Sequence, residues 1–355
     1  MKNKKSQLNI WQKLKKPILA LAPMAGYTDS TFRVMCLKGG ADLVYTEMIS
    51  AEALARENKK TLKMLEFLPE EKNVIVQLFG KNPEAFAKAT KIINEKFCHP
   101  LEKGDPRLRG DDNKKICGID INLGCPAHKV FRTGAGAALM DNKKLAREII
   151  IAVLENTNLP VSIKIRTRVK NTTAIDFIKF IKDLPIAAIM IHGRSLAQGM
   201  TGPIDFAMIK KVKQLLPDKI VLANGGISTL TDAEIMLEKT GADGIGIGRG
   251  ALGKPWIFNE IKKCLASSVI PLKNGIQKTK FNFFLDPRLA AGQADLHQDD
   301  KKNIILRHAQ LFLQHNDNLI PLRKHLIHYF KGQKNASKLR QKIIKIKSLV
   351  DLEKI

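Results

Sequence analysis

The sequence predicts a (β/α)₈ TIM barrel followed by an all-helical C-terminal domain, and three observations lead to this fold class. Eight short apolar runs of strand length recur along the first 250 residues. Segments with helical periodicity separate these runs. Beyond about residue 300 the strand pattern ends and only helical segments follow. Eight strands that each precede a helix favour a closed barrel over the alternative, an open doubly wound sheet.

The predicted strands are nearly continuous in apolar character, which is typical of parallel strands buried on both faces. The first run follows a lysine-rich N-terminus and could be mistaken for a signal peptide. It is short and contains two prolines, so we interpret it as the first strand. The predicted strands comprise residues 17–24, 42–49, 73–80, 118–125, 161–168, 187–194, 220–227 and 244–250.

The intervening helices have recognisable ends. Asn82 and Pro83 provide a cap and a first-turn proline for one helix. Thr231 or Asp232 can cap another, which Gly241 should end. These signals support an alternation of strands and helices along the whole barrel.

The pattern divides the chain into a barrel over residues 14–267, a linker over 268–300 and a helical domain over 301–355. We expect three helices in the last of these. A polar stretch at 99–115 interrupts the barrel and shares the tetrapeptide Asp-Pro-Arg-Leu with 285–302. Both stretches are rich in helix and strand breakers, which predicts exposed, poorly ordered insertions.

The charge balance is strongly basic. The chain has 60 Lys and Arg against 34 Asp and Glu, a net charge of +26. Residues 301–355 alone contain 13 Lys and Arg and three acidic residues. Such an excess attracts polyanions, most commonly nucleic acid. We therefore expect the helical domain to bind nucleic acid, with a merely solvated lysine-rich surface as the alternative.

Five cysteines without a C-x-x-C pair predict neither a disulfide framework nor a zinc site. They suit a reducing cytoplasm, which is the location we expect. No apolar run approaches the length needed to span a bilayer. Nothing in the sequence indicates a metal or an obligate protein partner.

Polar residues and glycines collect at the C-terminal ends of the predicted strands, where barrel enzymes carry their active sites. Polar groups inside apolar strands are costly unless they have partners, so this grouping indicates a site. The residues concerned include Pro23, Met24, Ala25, Gln77, Asn122, Cys125, Lys164, Arg166, His192, Arg194, Asn224, Gly225, Gly226, Gly248 and Arg249.

The glycines after the seventh and eighth strands predict a phosphate site. They allow backbone N–H groups to approach a phosphate, and His192 or Arg249 could complete its charge. Gln77 and Lys164 could bond a flat heteroaromatic ring such as a flavin, while a buried lysine paired with a carboxylate is the structural alternative. Cys125 has several possible roles: metal ligand, redox thiol, nucleophile, proton donor or small core residue.

Seven stretches at the predicted strand ends form a recognisable set of motifs: "LAPMAGYTDSTFR" (21–33), "VQLFG" (76–80), "DINLGCPAHKV" (120–130), "IKIRTR" (163–168), "IHGRSLAQGMTGPIDF" (191–206), "ANGGI" (223–227) and "GIGIGRGALGKPWIF" (244–258). Together they resemble the motifs of the flavin-dependent tRNA-dihydrouridine synthases. The residues 322–332, "LRKHLIHYFKG", are similar to the bacterial branch with an RKH…Y helical tail.

The resemblance implies FMN as cofactor, NADPH or NADH as reductant and tRNA as substrate. It implies that Pro23, Met24, Ala25, Gln77 and Lys164 contact the flavin ring. The phosphate would be held by His192, Asn224, Gly225, Gly226, Gly248 and Arg249. The substrate would be contacted by Asn122, Arg166, Arg194, Arg323 and Lys324.

The resemblance also implies that Cys125 is the general acid. Reduction of the uracil C5–C6 double bond needs a hydride from FMN at C6 and a proton at C5. An ordinary thiol has a pKa near 8.5 and is mostly protonated at neutral pH. The lack of a second thiol at ligand spacing agrees with this role. The target base must leave its stack to reach the barrel, and we expect 128–136 to form a basic loop facing the RNA.

One departure from the family pattern is Gly226, where aspartate is usual. This change could loosen the loop or weaken flavin binding, although the backbone N–H groups remain. Two alternatives stay open: a barrel flavoenzyme that reduces a free pyrimidine, like dihydroorotate dehydrogenase, and an RNA-binding protein without catalysis. The basic tail argues against the first, and the complete set of strand-end residues argues against the second.

Overall fold

The computed structural model describes residues 9–98, 115–267, 298–333 and 335–354. Eight parallel strands form a closed ring within them, so the predicted barrel is confirmed. Each strand pairs with its neighbours in chain order, and β1 pairs with β8 to close the ring. The strands are β1 (Ile18–Leu21), β2 (Leu43–Tyr45), β3 (Val74–Phe79), β4 (Ile116–Asn122), β5 (Val161–Arg166), β6 (Ala188–His192), β7 (Ile220–Asn224) and β8 (Gly244–Ile247).

The strands are shorter than the apolar runs that predicted them, because several runs continue into the loops above the barrel. β2 ends at Tyr45, and a separate two-residue strand, Ile49–Ser50, pairs with the end of β3. β4 begins at Ile116 and ends at Asn122, so Cys125 lies beyond the strand. A short antiparallel hairpin joins Arg168–Val169 and Thr172–Thr173.

Helices surround the barrel, and their caps partly match the predictions. Asn82 caps its helix as predicted, accepting a hydrogen bond from the Ala85 N–H. The cap before the Gly241 stop is Thr229, so the predicted cap at Thr231 or Asp232 was wrong. The barrel helices are Ile10–Lys13, Ser30–Lys38, Ala51–Ala55, Lys59–Lys63, Pro83–Ile93, His128–Arg132, Ala138–Asp141, Lys143–Glu155, Ala174–Ile181, Phe206–Leu215, Leu230–Thr240 and Ile257–Ser267, with a π-helix at Asn94–Cys98 and a 3₁₀ turn at Arg249–Ala251.

The segment expected to be a basic loop at 128–136 was predicted wrongly in its first half. His128–Arg132 is a one-turn helix, and Gly134 and Gly136 then turn the chain with positive φ angles. The basic residues Lys129 and Arg132 therefore belong to a helix and not to an irregular loop.

The C-terminal region is helical, as predicted. Its helices are Gln298–Leu313, Arg323–Tyr329, Ala336–Ile343 and Leu349–Glu353. The first begins inside the expected linker. The third predicted helix is divided, because it ends at Ile343 and Ser348 caps a separate short helix through a capping box with Asp351. The proposed insertions at 99–115 and 285–302 lie mostly outside the described residues.

The C-terminal helices pack directly on the barrel. Leu311 joins Val34 and Met35 in one apolar cluster. His325 is fully buried and bonds the Asp29 carboxylate at 3.0 Å. This contact places the helix Arg323–Tyr329 beside the C-terminal end of the barrel. In the described part of the chain, no helix has the length and apolarity needed to cross a membrane.

Candidate active site

A cavity of about 690 Å³ opens at the C-terminal end of the barrel strands. All but three of the predicted site residues line it, which brings together side chains from most of the strands. These lining residues are Pro23, Met24, Ala25, Gln77, Asn122, Cys125, Lys164, Arg166, His192, Asn224, Gly225, Gly226, Gly248 and Arg249.

The other three predicted site residues have partners elsewhere in the protein. Arg194 lies behind the cavity wall and donates from Nε to the Gly202 carbonyl. Arg323 donates from Nε to the Ile346 carbonyl. Lys324 lies 3.4 Å from the Asp29 carboxylate. Arg323 and Lys324 thus hold the tail together and against the barrel.

Cys125 lies in a tight turn after β4, and hydrogen bonds of the turn's own N–H groups maintain this turn. The Asn122 Oδ1 accepts hydrogen bonds from the N–H groups of Gly124 at 3.1 Å and Cys125 at 2.9 Å. Gly136 packs closely behind the turn, since a Cβ there would lie 3.0 Å from the Cys125 Cβ. The half-buried free thiol therefore projects from a fixed backbone into the cavity.

A chain of hydrogen bonds runs from the barrel interior to this turn. The Ser162 hydroxyl and the Gln77 Nε2 both donate to the Asp120 carboxylate, at 2.6 and 2.7 Å. The Gln77 Oε1 then accepts from the Asn122 Nδ2 at 2.9 Å. Burial raises the pKa of Asp120 to about 6 against the lowering effect of these donors, so the carboxylate is mostly ionised at neutral pH.

Lys164 projects from β5 into the same region. Burial and the neighbouring Arg166 lower its pKa to about 8, while the charge of Asp120 acts in the opposite direction. The ammonium is therefore largely protonated at neutral pH. The site offers a positive hydrogen-bond donor inside the barrel mouth.

Arg166 organises the loop after β6 instead of presenting its guanidinium freely. Its Nε donates to the Gly124 carbonyl at 2.8 Å, and one terminal nitrogen donates to the carbonyls of Ser195 and Gly199. Arg249 donates to the Met200 carbonyl of the same loop. These bonds attach the 195–200 loop to the Cys125 turn.

A glycine turn follows β7, as the sequence indicated. Gly225 and Gly226 have φ angles of +111° and +71°, which favour glycine. A Cβ on Gly225 would lie 2.9 Å from the His192 Nε2. The turn can therefore pack against the His192 ring only because residue 225 has no side chain.

His192 is neutral and incompletely bonded. Burial, followed by the charges of Lys164 and Arg166, lowers its pKa to about 2. Its Nδ1 is buried and has no hydrogen-bond partner within the described part of the protein, and the same is true of one terminal nitrogen of Arg194. Five other buried side-chain atoms of the described residues also lack partners, so it is the place of His192 in the cavity lining that indicates a polar ligand there.

The cavity region carries an excess of positive charge. In residues 9–98, 115–267, 298–333 and 335–354, no salt bridge joins Lys164, Arg166, Arg194 or Arg249 to a carboxylate. Asp120 acts on Lys164 without a direct ion pair, and the other three cations have no carboxylate partner in the described residues, so the region suits an anionic ligand. Over the same residues, no cluster of three or more His, Cys, Asp or Glu side chains could hold a metal ion.

Sequence reasoning missed several lining residues. Tyr27, Met48 and Met200 come from loops above the barrel, and His328 and Lys331 come from the C-terminal helices. Tyr27 is packed edge-to-face against His328, with ring centroids 5.6 Å apart. Tyr27, Met200, His328 and Lys331 lie inside motifs that were noticed. The folded barrel loops bring Tyr27 and Met200 to the cavity, and docking of the tail brings His328 and Lys331 there.

Comparison with known proteins identifies the family. The profile of the dihydrouridine synthase (Dus) family matches residues 20–102 and 109–354. The chain belongs to the dihydrouridine synthase family. The interruption between 102 and 109 falls in the stretch that the sequence indicated as an insertion.

Two bacterial relatives show the extent of the similarity to this family member. The tRNA-dihydrouridine synthase B of Xanthomonas axonopodis pv. citri (strain 306) is 36% identical over 256 residues, which are 72% of this chain and 71% of that protein. A probable tRNA-dihydrouridine synthase of Rickettsia conorii (strain ATCC VR-613 / Malish 7) is 32% identical over 329 residues, which are 91% of this chain and 87% of that protein.

A solved structure resembles this dihydrouridine synthase family member in fold. The complex of 2-naphthoyl-CoA reductase with 2-naphthoyl-CoA superposes with a TM-score of 0.53 at 11% identity. The similarity covers 72% of this chain and 51% of that chain, so the match spans about half the length of the reductase. At this identity the likeness concerns the barrel fold alone.

Proposed function

We propose that this dihydrouridine synthase uses FMN, takes its electrons from NADPH or NADH, and reduces uridines of tRNA in the cytoplasm. One observation carries the proposal. The His192 ring, whose Nδ1 has no partner in the described residues, lines the same cavity as the Gly225–Gly226 turn and Cys125, and Arg194, which also has an unpartnered nitrogen, lies against Gly226 outside the cavity lining.

The residues present fit FMN. The glycine turn, the neutral His192 and the cations Arg194 and Arg249 would hold its phosphate. The backbone at 23–25, with Gln77 and Lys164, would contact its ring system, for which a lysine ammonium is a suitable donor. Bound there, FMN would supply the hydride that reduces C6 of the uracil.

The protein's own groups would complete the reaction. Asn122 lies at the end of β4, where its amide would meet the base. Cys125 would donate the proton to C5 from its fixed turn, and positioned proton transfer of this kind accelerates reactions roughly 10²–10⁴-fold. Arg166 would act through the backbone of the Gly124–Cys125 turn with its Nε, and its second terminal nitrogen, which meets only the Met200 sulfur at 3.9 Å, would face the substrate.

Two features support RNA rather than a free pyrimidine as substrate. The matched relatives are named as tRNA-dihydrouridine synthases. The basic tail also contributes His328 and Lys331 to the wall of the cavity. An enzyme for a free base needs no such wall, whereas a tRNA must be held by its phosphates while one base enters the barrel.

The proposal is tested with purified protein, FMN, NADPH and unmodified tRNA transcript. We expect a flavin absorbance spectrum, bleaching of that spectrum by NADPH, and dihydrouridine in the tRNA by mass spectrometry of its nucleosides. Protein that takes up no FMN, or that reduces free uracil as fast as tRNA, would contradict the proposal.

A further inference from the structure

Asp120 is a fully buried carboxylate in the middle of β4, between Ile119 and Ile121. It does not line the cavity, and none of the roles considered so far uses it. A buried charge in a barrel strand is expensive unless its hydrogen bonds compensate. Its partners are Ser162 and Gln77, and the second of these leads to the active site.

The ionised carboxylate determines which way the next amides point. A carboxylate only accepts hydrogen bonds, so Gln77 must turn its NH₂ group toward Asp120. The Gln77 oxygen then faces Asn122 and accepts from its NH₂ group. This leaves the Asn122 oxygen for the N–H groups of Gly124 and Cys125.

We propose that Asp120 is a positioning residue that fixes the Gln77 and Asn122 amides and, through Asn122, the turn that carries Cys125. Its consequence for catalysis rests on the proposed function. Its effect on the turn does not depend on the proposed function, because that effect follows from the order of donors and acceptors along the hydrogen-bond chain alone.

The test uses Asp120→Asn, which keeps the size of the side chain and adds an NH₂ donor. Asparagine can present either its oxygen or its NH₂ group to Gln77, so the orientation of the Gln77 and Asn122 amides is no longer enforced by a group that only accepts. A matched control is Asp243→Asn at the opposite end of the barrel. Asp243 is also buried and accepts from Lys16, Lys213 and the Val221 N–H, so its loss costs stability without touching the site.

The first readout is the rate of Cys125 alkylation by iodoacetamide at one fixed pH, measured by peptide mass spectrometry. We expect a change of about threefold or more in Asp120→Asn, and the wild-type rate in Asp243→Asn. The second readout is dihydrouridine formation at saturating tRNA. We expect about a tenfold loss in Asp120→Asn with unchanged half-saturating tRNA concentration, because small misplacements of a catalytic group are costly.

A folded Asp120→Asn protein with wild-type Cys125 alkylation would overturn the inference, and would leave Asp120 as no more than a counter-charge for Lys164. Should that variant not fold, Gln77→Met interrupts the same chain one residue later. Gln77→Met must then change the Cys125 rate, and a wild-type rate would overturn the inference. Wild-type protein that makes no dihydrouridine defeats the proposed function, while the alkylation comparison still decides the role of Asp120.

Discussion

At the residue scale, Cys125 is positioned by its main chain. The Cys125 N–H bonds the Asn122 side chain, and its carbonyl accepts from the Ala137 N–H. Neither bond involves sulfur, so removal of the thiol should leave the turn in place.

We therefore expect Cys125→Ala to bind FMN and tRNA like the wild type and to lose about 10²–10⁴-fold of its dihydrouridine formation. The measurement is single-turnover product formation by prereduced enzyme. Cys264→Ala is the matched control, since Cys264 lies on the outer helix Ile257–Ser267. Wild-type turnover in Cys125→Ala would remove the thiol from its proposed role.

The glycine turn gives a second prediction. Gly225→Ala places a methyl group against the His192 ring and forces a side chain into a positive-φ position. We expect FMN affinity to fall at least tenfold, measured by fluorescence titration. Gly241→Ala also places a side chain at a positive φ, +63°, but meets no atom within 4 Å, so it should lose some stability and keep its flavin affinity. Equal FMN affinities in the two variants would disprove the steric argument.

The residues at the strand ends could be selected from the sequence because their chemistry is unusual for buried strands, and most of them line the cavity. The sequence did not reveal the function of Asp120, because the importance of that carboxylate depends on Gln77, a residue 43 positions away. It also could not show that Arg166 donates hydrogen bonds to loop carbonyls, because these carbonyls come within reach of Arg166 only in the folded loop.

At the scale of elements, local patterns located the strands and helices but not all of their ends. Thr229, Thr231 and Asp232 are all plausible caps, and the reciprocal bonds between Thr229 and Asp232 decide the start of the helix. The third tail helix was predicted as continuous, although Ser348 and Asp351 have the spacing of a capping box that starts a new helix. Between the two helices the carbonyls of Ile346 and Lys347 accept from Arg323 and from the Leu319 N–H.

The contact between the tail and the helix Ser30–Lys38 gives a prediction about pH. His308 is fully buried between Thr31 and Tyr329, and burial lowers its pKa to about 3. The folded protein binds fewer protons at this residue than the unfolded chain below pH 6.5, so stability is lost as the pH falls.

Between pH 7.5 and pH 5 the free energy of unfolding should fall by about 2 kcal/mol more in the wild type than in His308→Gln. This difference follows from about 1.36 kcal/mol per pH unit below pH 6.5. Glutamine can bond both neighbours without titrating. Urea unfolding at the two pH values measures the difference. If both proteins lost the same amount of free energy, the buried histidine would not be neutral in the folded state.

At the scale of the whole molecule, the tail is part of the site rather than an appended module. It buries His325 against Asp29 and adds His328 and Lys331 to the cavity. Deletion of 301–355 would uncover the apolar side of Ser30–Lys38, so exposed charges give a cleaner test of RNA binding. The sequence could predict a barrel and a basic helical region, but not this docking, because it depends on contacts about 300 residues apart.

Neutralising Arg340, Lys342 and Lys345 together should weaken tRNA binding and make it less dependent on salt. These side chains are exposed on the third tail helix and the turn after it. Each lost phosphate contact lowers the slope of log K against log salt by about 0.7 to 0.9. The control replaces Lys182, Lys210 and Lys211, exposed residues of the outer barrel, which changes the net charge equally. Identical slopes for the two triple variants would exclude the tail surface from the RNA contact.

The central claim is that this barrel reduces uridine in tRNA with a proton from Cys125. The most direct measurement is the mass of the nucleosides of a tRNA transcript after incubation with NADPH and FMN-loaded protein, either wild type or Cys125→Ala. The account predicts a uridine heavier by two hydrogen atoms with the wild type and almost none with the variant. An unaltered transcript with flavin-loaded wild-type protein, or equal product from both proteins, would contradict it.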